Sequence, residues 1–290
     1  MQRQARVLIP WMEKDEAVAS LLDRMPRPED DLTELTGTWE ARKDRLAQRA
    51  PYSLPTPKLE PLPQELVERG EAFKRRPDVQ ASLHGLDWDV GIVDLTRILT
   101  FQKLVVLEQI AERVAGVSQD HWGPLFSLCL PDSSILEVGG MLHPSGRSIT
   151  LSSPSPNLRV SQHILQDLTV APAPGVPGQT MKFFGFAVSY GAPFLQVAEY
   201  KGRWFVRDGY HRSYGLLSRG VARVPAVFVK ARSFTETGAA APIFLSREIL
   251  FGDHPPTLKD FFDDDLAMTV SQRVTRKIVR ITAEEFVVEV

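Results

Sequence analysis

An α+β fold is what these 290 residues predict, with a mainly helical N-terminal region leading into a strand-rich core. Three observations carry that expectation. Apolar residues recur at helical spacing over much of residues 1–120. From Leu125 the pattern changes to short β-like runs punctuated by Pro, Gly and Ser. Residues 194–230 then read as strand, tight turn, strand, loop, short helix and strand. The expected divisions are 1–120 (helical), 121–245 (core) and 246–290 (terminal helices and strands).

In chain order, Val7–Met12 is a short apolar run, a strand or an arm. Lys14–Met25 has helical spacing through Ala17, Leu21 and Leu22, and Pro26 and Pro28 close it. Asp31–Ala50 reads as a second helix with Leu32, Leu35, Trp39 and Leu46 on its apolar side, although Gly37 weakens it. Pro51–Pro63 carries prolines at 51, 55, 57, 61 and 63, an extended linker or surface wrap. Leu62–Arg76 is a charged helix, and Trp88–Leu99 is compatible with strand or helix. Thr100–Ala115 is the clearest helical pattern, with Thr100 as N-cap and Phe101, Leu104, Leu107, Ile110, Ala111 and Val114 on one face. Gly116 would end it.

Beyond that helix, 125–130, 134–138, 147–152 and 157–160 are strand-like, with turns at Gly139-Gly140 and Pro144-Ser145-Gly146. Ala171–Gly178 is a Pro/Gly loop, and Met181–Tyr190 is strongly β-prone. In 194–230, Lys201-Gly202 separates two β-prone runs and supplies a hairpin turn. Gly220 stops the helix after Arg212, and Val224–Val229 forms the last strand. Ser246–Phe251 and Thr257–Leu266 read as short helices. Lys277–Ile281 and Phe286–Val290 alternate like strands.

The loop Asp208-Gly209-Tyr210-His211-Arg212 has a chemical logic. Glycine lets the main chain approach a ligand closely. A helix beginning near His211 turns the positive end of its dipole to the same place, a natural anion seat. Arg212 adds a planar fork suited to phosphate oxygens. His211 can donate to phosphate or exchange a proton near neutral pH. Asp208 could orient His211, hold a metal ion or accept a proton. Glu199, near the end of the preceding strand, is a second carboxylate for the same pocket.

Arg207–Arg212, followed by Ser213–Gly220 and Val224-Pro225-Ala226-Val227, resembles the ParB/sulfiredoxin superfamily, which carries a D-G-x-H-R or G-x-x-R loop, a helix ending in glycine and a V-P-x-x-V strand. The resemblance covers this stretch and its hairpin. It implies a mixed sheet with short helices that binds a nucleotide phosphate through the loop. Gly209, Tyr210, His211, Arg212 and Ser213 are then the expected nucleotide-binding residues. Asp208, His211 and Glu199 are the expected catalytic ones, with Mg²⁺ and ATP or CTP as cofactor. Members include CTP-hydrolysing partition proteins, ATP-driven sulfiredoxins, an ADP-dependent serine kinase and proteins described as nucleases. Sulfiredoxins place cysteine where this chain has Tyr210, and Cys129 lies far away in sequence. The partition proteins' E-N-x-x-R box is missing, since the sole asparagine, Asn157, follows a proline. Neither sulfinate reduction nor a CTP-gated DNA clamp is therefore expected. The alternative is a noncatalytic DNA- or protein-binding module with a sensing or degenerate pocket.

Composition narrows the remaining classes. Hydrophobic residues at 43% are enough for a core, and 24% charged is ordinary. A net charge of −2 argues against broad nonspecific DNA binding, though a local basic patch remains compatible with it. A single cysteine excludes an intrachain disulfide framework. No apolar run reaches the roughly 18 residues of a membrane helix, and the first one is too short for a signal peptide, so the expected location is cytoplasmic. Asp263-Asp264-Asp265 reads as a solvated acidic turn, the remaining histidines lack ligand spacing, and no dedicated metal site is predicted. Arg219 and Arg223 could extend a positive rim. Nothing sets the oligomeric state.

Overall fold

The computed structural model describes residues 2–24, 32–53, 57–107, 114–131, 139–153, 158–170, 179–189, 194–240, 243–273, 277–285 and 287. Its elements run β1 (Gln2–Leu8), α1 (Lys14–Arg24), α2 (Leu32–Ala47), α3 (Val67–Lys74), α4 (Pro77–Ser82), β2 (Trp88–Asp94), β3 (Leu104–Val106) and α5 (Trp122–Cys129). Then come β4 (Gly139–Leu142), β5 (Ser148–Ser153), β6 (Arg159–Val170), β7 (Gln179–Ser189), β8 (Gln196–Tyr200), β9 (Arg203–Asp208), α6 (Tyr210–Ser218) and β10 (Arg223–Lys230). The series closes with α7 (Arg247–Phe251), β11 (Ala267–Arg273) and β12 (Lys277–Thr282). The fold is α+β, with several small sheets. It forms two units, Met1–Ser134 with Pro193–Val274, and Ile135–Ala192 with Thr275–Val290.

The first unit contains a mixed sheet in the order β2-β10-β8-β9. β10 runs parallel to β8 and antiparallel to β2. Pro225 is tolerated because β8 pairs with β10 only from Val227 onward, leaving a partner on one side of the proline. Lys201 (φ 53°) and Gly202 (φ 75°) both take left-handed backbone, as a two-residue hairpin turn requires. Both sheet edges are covered. Leu99 bridges to Phe205 on β9, and Glu60 exchanges main-chain bonds of 3.0 and 2.8 Å with Ile92 on β2. That approach needs Gly91, where a Cβ would stand 2.5 Å from the Glu60 carbonyl oxygen. Glu60, near the end of the proline-rich segment, thus seals an edge. A second sheet, β11-β1-β3, buries Ala5 and Val7 against Ala17, Leu21 and Leu35 of α1 and α2.

The sequence expectations fail in several places. The segment read as a helix over Thr100–Ala115 instead holds β3, whose Leu104–Val106 pairs with Ala5–Val7. Thr100 bonds to Pro256 and Gln102 rather than capping a helix, and strand pairing to distant residues outweighs the local 3.6 period. Residues 108–113 lie outside the described set. The run 125–130, read as strand, belongs mainly to α5, with Leu125, Phe126 and Cys129 buried on one side. A short apolar run does not distinguish the two. Gly139-Gly140 opens β4 rather than a turn. Helices outweigh strands over residues 1–120, as expected, but the region also supplies β1, β2 and β3, and β2 joins the sheet of β8–β10. The expected boundary at 121 therefore cuts through one unit. The helix stops expected at Pro26 and Pro28, the strand at 134–138, the Pro/Gly loop Ala171–Gly178 and most of the strand Phe286–Val290 fall outside the described residues.

The second unit contains the sheet β12-β5-β4 and a two-stranded ribbon, β6-β7, with a register shift between Val160 and Gln162. No helix among the described residues is long and apolar enough to cross a membrane.

Candidate functional site

β9 carries the chain to Asp208, and Gly209 turns it sharply with φ +91°. A Cβ on that glycine would lie 3.2 Å from the Leu195 Cα, so the bend is pressed against the strand entering β8. α6 begins at the next residue. The Asp208 carboxylate accepts the Gly209 N–H at 2.6 Å, bracing the bend. The Ser213 N–H closes the first helical turn on the Gly209 carbonyl at 2.8 Å.

Two expected nucleotide ligands are instead built into the core. Tyr210 is buried, packs edge-on against Phe101 at 5.2 Å and donates its hydroxyl to the Val206 carbonyl. Burial pushes its phenol well above the ordinary range. Ser213 is fully buried, and its Oγ has no hydrogen-bond partner among the described residues. His211 and Arg212 are half-buried on the first turn of α6. Arg212 Nη1 donates to the carbonyls of Leu128 at 2.7 Å and Cys129 at 2.9 Å. The guanidinium thereby caps the end of α5, where carbonyls lack helical partners.

Cys129, distant in sequence, is therefore adjacent to the loop. Its carbonyl also accepts the Leu195 N–H at 2.8 Å. Burial pushes its thiol up to about 12 against the lowering effect of Arg212. A thiol so protonated is a packing group rather than a nucleophile.

Glu199 is not brought to the loop. Register places it opposite Trp204 at the turn end of the hairpin, while Asp208 lies opposite Gln196 at the other end. Its carboxylate accepts the Gly202 N–H at 2.8 Å. The expected pair of carboxylates is thus reduced to Asp208. Arg219 and Arg223 serve the scaffold, through the Val117 carbonyl and Glu60 respectively. Asp264 and Asp265 pair with Arg6 at 2.8 Å and Arg45 at 3.2 Å, a solvated ion-paired turn.

The chain finds no match among protein-family models, curated proteins or solved structures.

Chemically, the bend offers the positive end of a helix, an imidazole and a guanidinium within one turn, beside one carboxylate. No group of three or more metal-ligating side chains occurs among the described residues. Nucleotide-borne Mg²⁺ asks for less, one or two carboxylates besides phosphate oxygens, and Asp208 fits that lesser demand. A separate cleft of about 500 Å³ is lined by Arg49, Tyr52, Arg97, His254, Lys259 and Asp260 and includes no loop residue. Sequence reasoning missed the neighbours that hold the bend. Leu195 presses on Gly209, Gln196 accepts from Arg207, and Arg207 Nε reaches the Glu236 carbonyl at 3.0 Å. The only local signal for these was the position of Leu195 and Gln196 at the start of the hairpin.

Proposed function

We propose that the chain binds a nucleotide phosphate at the Asp208–Arg212 bend, in the manner of the ParB/sulfiredoxin superfamily. The observation that carries this reading is Gly209 in left-handed backbone, joining β9 directly to the start of α6. Strand, glycine and helix start form a concentrated anion seat. His211 and Arg212 add cationic or donor groups on the same turn. Asp208 would support a nucleotide-bound Mg²⁺ or take a proton, and hydrolysis or phosphoryl transfer would follow from positioning and charge stabilisation at the bend.

The noncatalytic form of this reading, a nucleotide sensor acting on DNA or a protein partner, draws on a specific observation. Glu199 stands at the far end of the hairpin, and Arg212 is engaged by α5 carbonyls. Fewer groups are then left for chemistry than for binding.

The test is thermal unfolding with ATP or CTP, with and without Mg²⁺, alongside phosphate release. Ligand at 100-fold over its Kd stabilises by about 2.7 kcal/mol, several degrees for a chain this size. The shift is expected in wild type and lost in His211→Ala, while Glu199→Ala keeps it. Indifference of wild type to every nucleotide would overturn the reading. A shift without phosphate release selects the sensor.

A further inference from the structure

The cleft of about 500 Å³ in the first unit is separate from the Asp208–Arg212 bend, and its size is that of a small-molecule site, roughly 300–1,000 Å³. Three stretches far apart in sequence line it, drawn from residues 49–53, 96–97 and 253–260. Hydrogen bonds tie them together. The Tyr52 N–H donates to the Asp253 carbonyl at 2.6 Å, and the Leu258 N–H donates to the Ile98 carbonyl at 3.1 Å. Trp11 Nε1 holds the His254 carbonyl at 2.6 Å. Walls joined in this way keep their shape before a ligand arrives, which lowers the cost of binding.

The charges favour an anion. Arg49, Arg97 and Lys259 line the cleft together with Asp253 and Asp260. Asp260 is buried and already accepts from the Thr257 N–H at 2.7 Å and from Arg49 at 2.9 Å. Arg49 thus answers Asp260, and two cations remain for the one exposed carboxylate of Asp253. The Leu258–Ile98 bond brings together the segments that carry those two cations. Lys259 is exposed and has no ion-pair partner among the described residues. Arg97 has Asp94 at 3.6 Å from its Nε, beyond hydrogen-bond length. His254 Nδ1 is buried without a hydrogen-bond partner among the described residues. A desolvated ring nitrogen in that position is costly, and as N–H it can donate to an anionic oxygen. Beside these groups, Tyr52 and Pro255 supply apolar surface. Arg203 lies over the Tyr52 ring at 5.0 Å and helps to fix it.

We propose that this cleft binds a small organic anion, its carboxylate or phosphate held by Arg97, Lys259 and His254 and its apolar body laid against Tyr52 and Pro255. The site is independent of the nucleotide reading of the bend.

Calorimetric titration of the full chain with phenyl phosphate and with phenylacetate tests this, and the tighter of the two names the acid group. Benzyl alcohol, an uncharged counterpart, should not bind. The double variant Arg97→Gln/Lys259→Gln should weaken the acid roughly ten-fold or more, as loss of hydrogen bonds to charged groups does. Both side chains are exposed, so its far-UV circular dichroism should match wild type. His254→Ala should weaken binding by a smaller factor, and the Trp11 bond to the main chain at 254 is kept. His211→Ala, which removes the imidazole of the bend, should leave the acid's affinity unchanged, so this proposal and the nucleotide reading fail separately. A wild type that binds neither acid at millimolar concentration overturns the proposal. So does benzyl alcohol binding as tightly as the acids, an affinity unchanged in the double variant, or one lost in His211→Ala.

Discussion

Two antiparallel strand pairs in this chain both contain β-prone runs and reach different situations. The β8–β9 hairpin is short, and Val197, Ala198, Phe205 and Val206 are fully buried in it. Its flanks are taken by β10 and by the Leu99 bridge. The β6–β7 ribbon is about twice as long and at least as rich in Phe and Leu, and among the described residues each of its strands pairs only with the other. Local β-propensity is present in each case. What differs is whether distant described segments of the chain pair with it, and that decides where rigidity is to be expected.

Core truncation should separate the hairpins most strongly. Phe205→Ala removes a fully buried ring and is expected to cost about 3–5 kcal/mol. Phe183→Ala in the ribbon should stay within about 0.5 kcal/mol. All five tryptophans, at 11, 39, 88, 122 and 204, lie in the first unit, so urea unfolding is followed by far-UV circular dichroism, which reads both units. Equal effects of the two substitutions would break the contrast.

The buried hairpin was readable because its signals are local. Lys201-Gly202, Gly209 and Gly220 each mark a backbone reversal or helix stop that few other residues allow, and all three glycines have positive φ. The same turn bears on Glu199, although the sequence reading assigned that residue to the pocket: a residue two before the turn must pair near Trp204, away from Asp208. The edge covers were not. Glu60 meets Ile92, and Leu99 meets Phe205, across separations no period or turn signal encodes. The same holds for Cys129 beside Arg212 and for β3, where a helical spacing yielded to pairing with β1. The ribbon's strands were partly visible in Met181–Tyr190, but the pairing of that run with Arg159–Val170 was not.

Arg212 offers a middle-sized test of how the buried hairpin extends into its loop. Arg212→Ala leaves the Leu128 and Cys129 carbonyls without the guanidinium and should cost roughly 1.5–3 kcal/mol, the range for hydrogen bonds to charged groups. Arg212→Lys should recover only part, since an ammonium lacks the planar fork. Trp122, at the start of α5, gives the readout. If alanine and wild type unfold together, the α5–α6 clasp contributes nothing and the loop is held by Gly209 and Leu195 alone.

The smallest expected effect compares two aspartates. Asp260 is buried; burial raises its carboxyl pKa, while the Thr257 N–H and Arg49, 2.9 Å away, pull it down without cancelling the rise. Asp167 on the ribbon is exposed and paired with Lys182. A carboxyl held above its ordinary value binds its proton more tightly in the folded chain than in the unfolded one. Its contribution favours folding below the ordinary carboxylate range and is lost as pH rises through the raised value. Relative to wild type, Asp260→Asn should therefore gain stability as pH rises from about 3 to 7, because asparagine does not ionise in the buried site. Asp167→Asn should change stability by no more than about 1 kcal/mol throughout, as exposed ion pairs do. Urea midpoints across that range decide the sign. A relative loss for Asp260→Asn with rising pH would mean that the Arg49 pairing outweighs desolvation, and that the buried unit tolerates charge better than its packing implies.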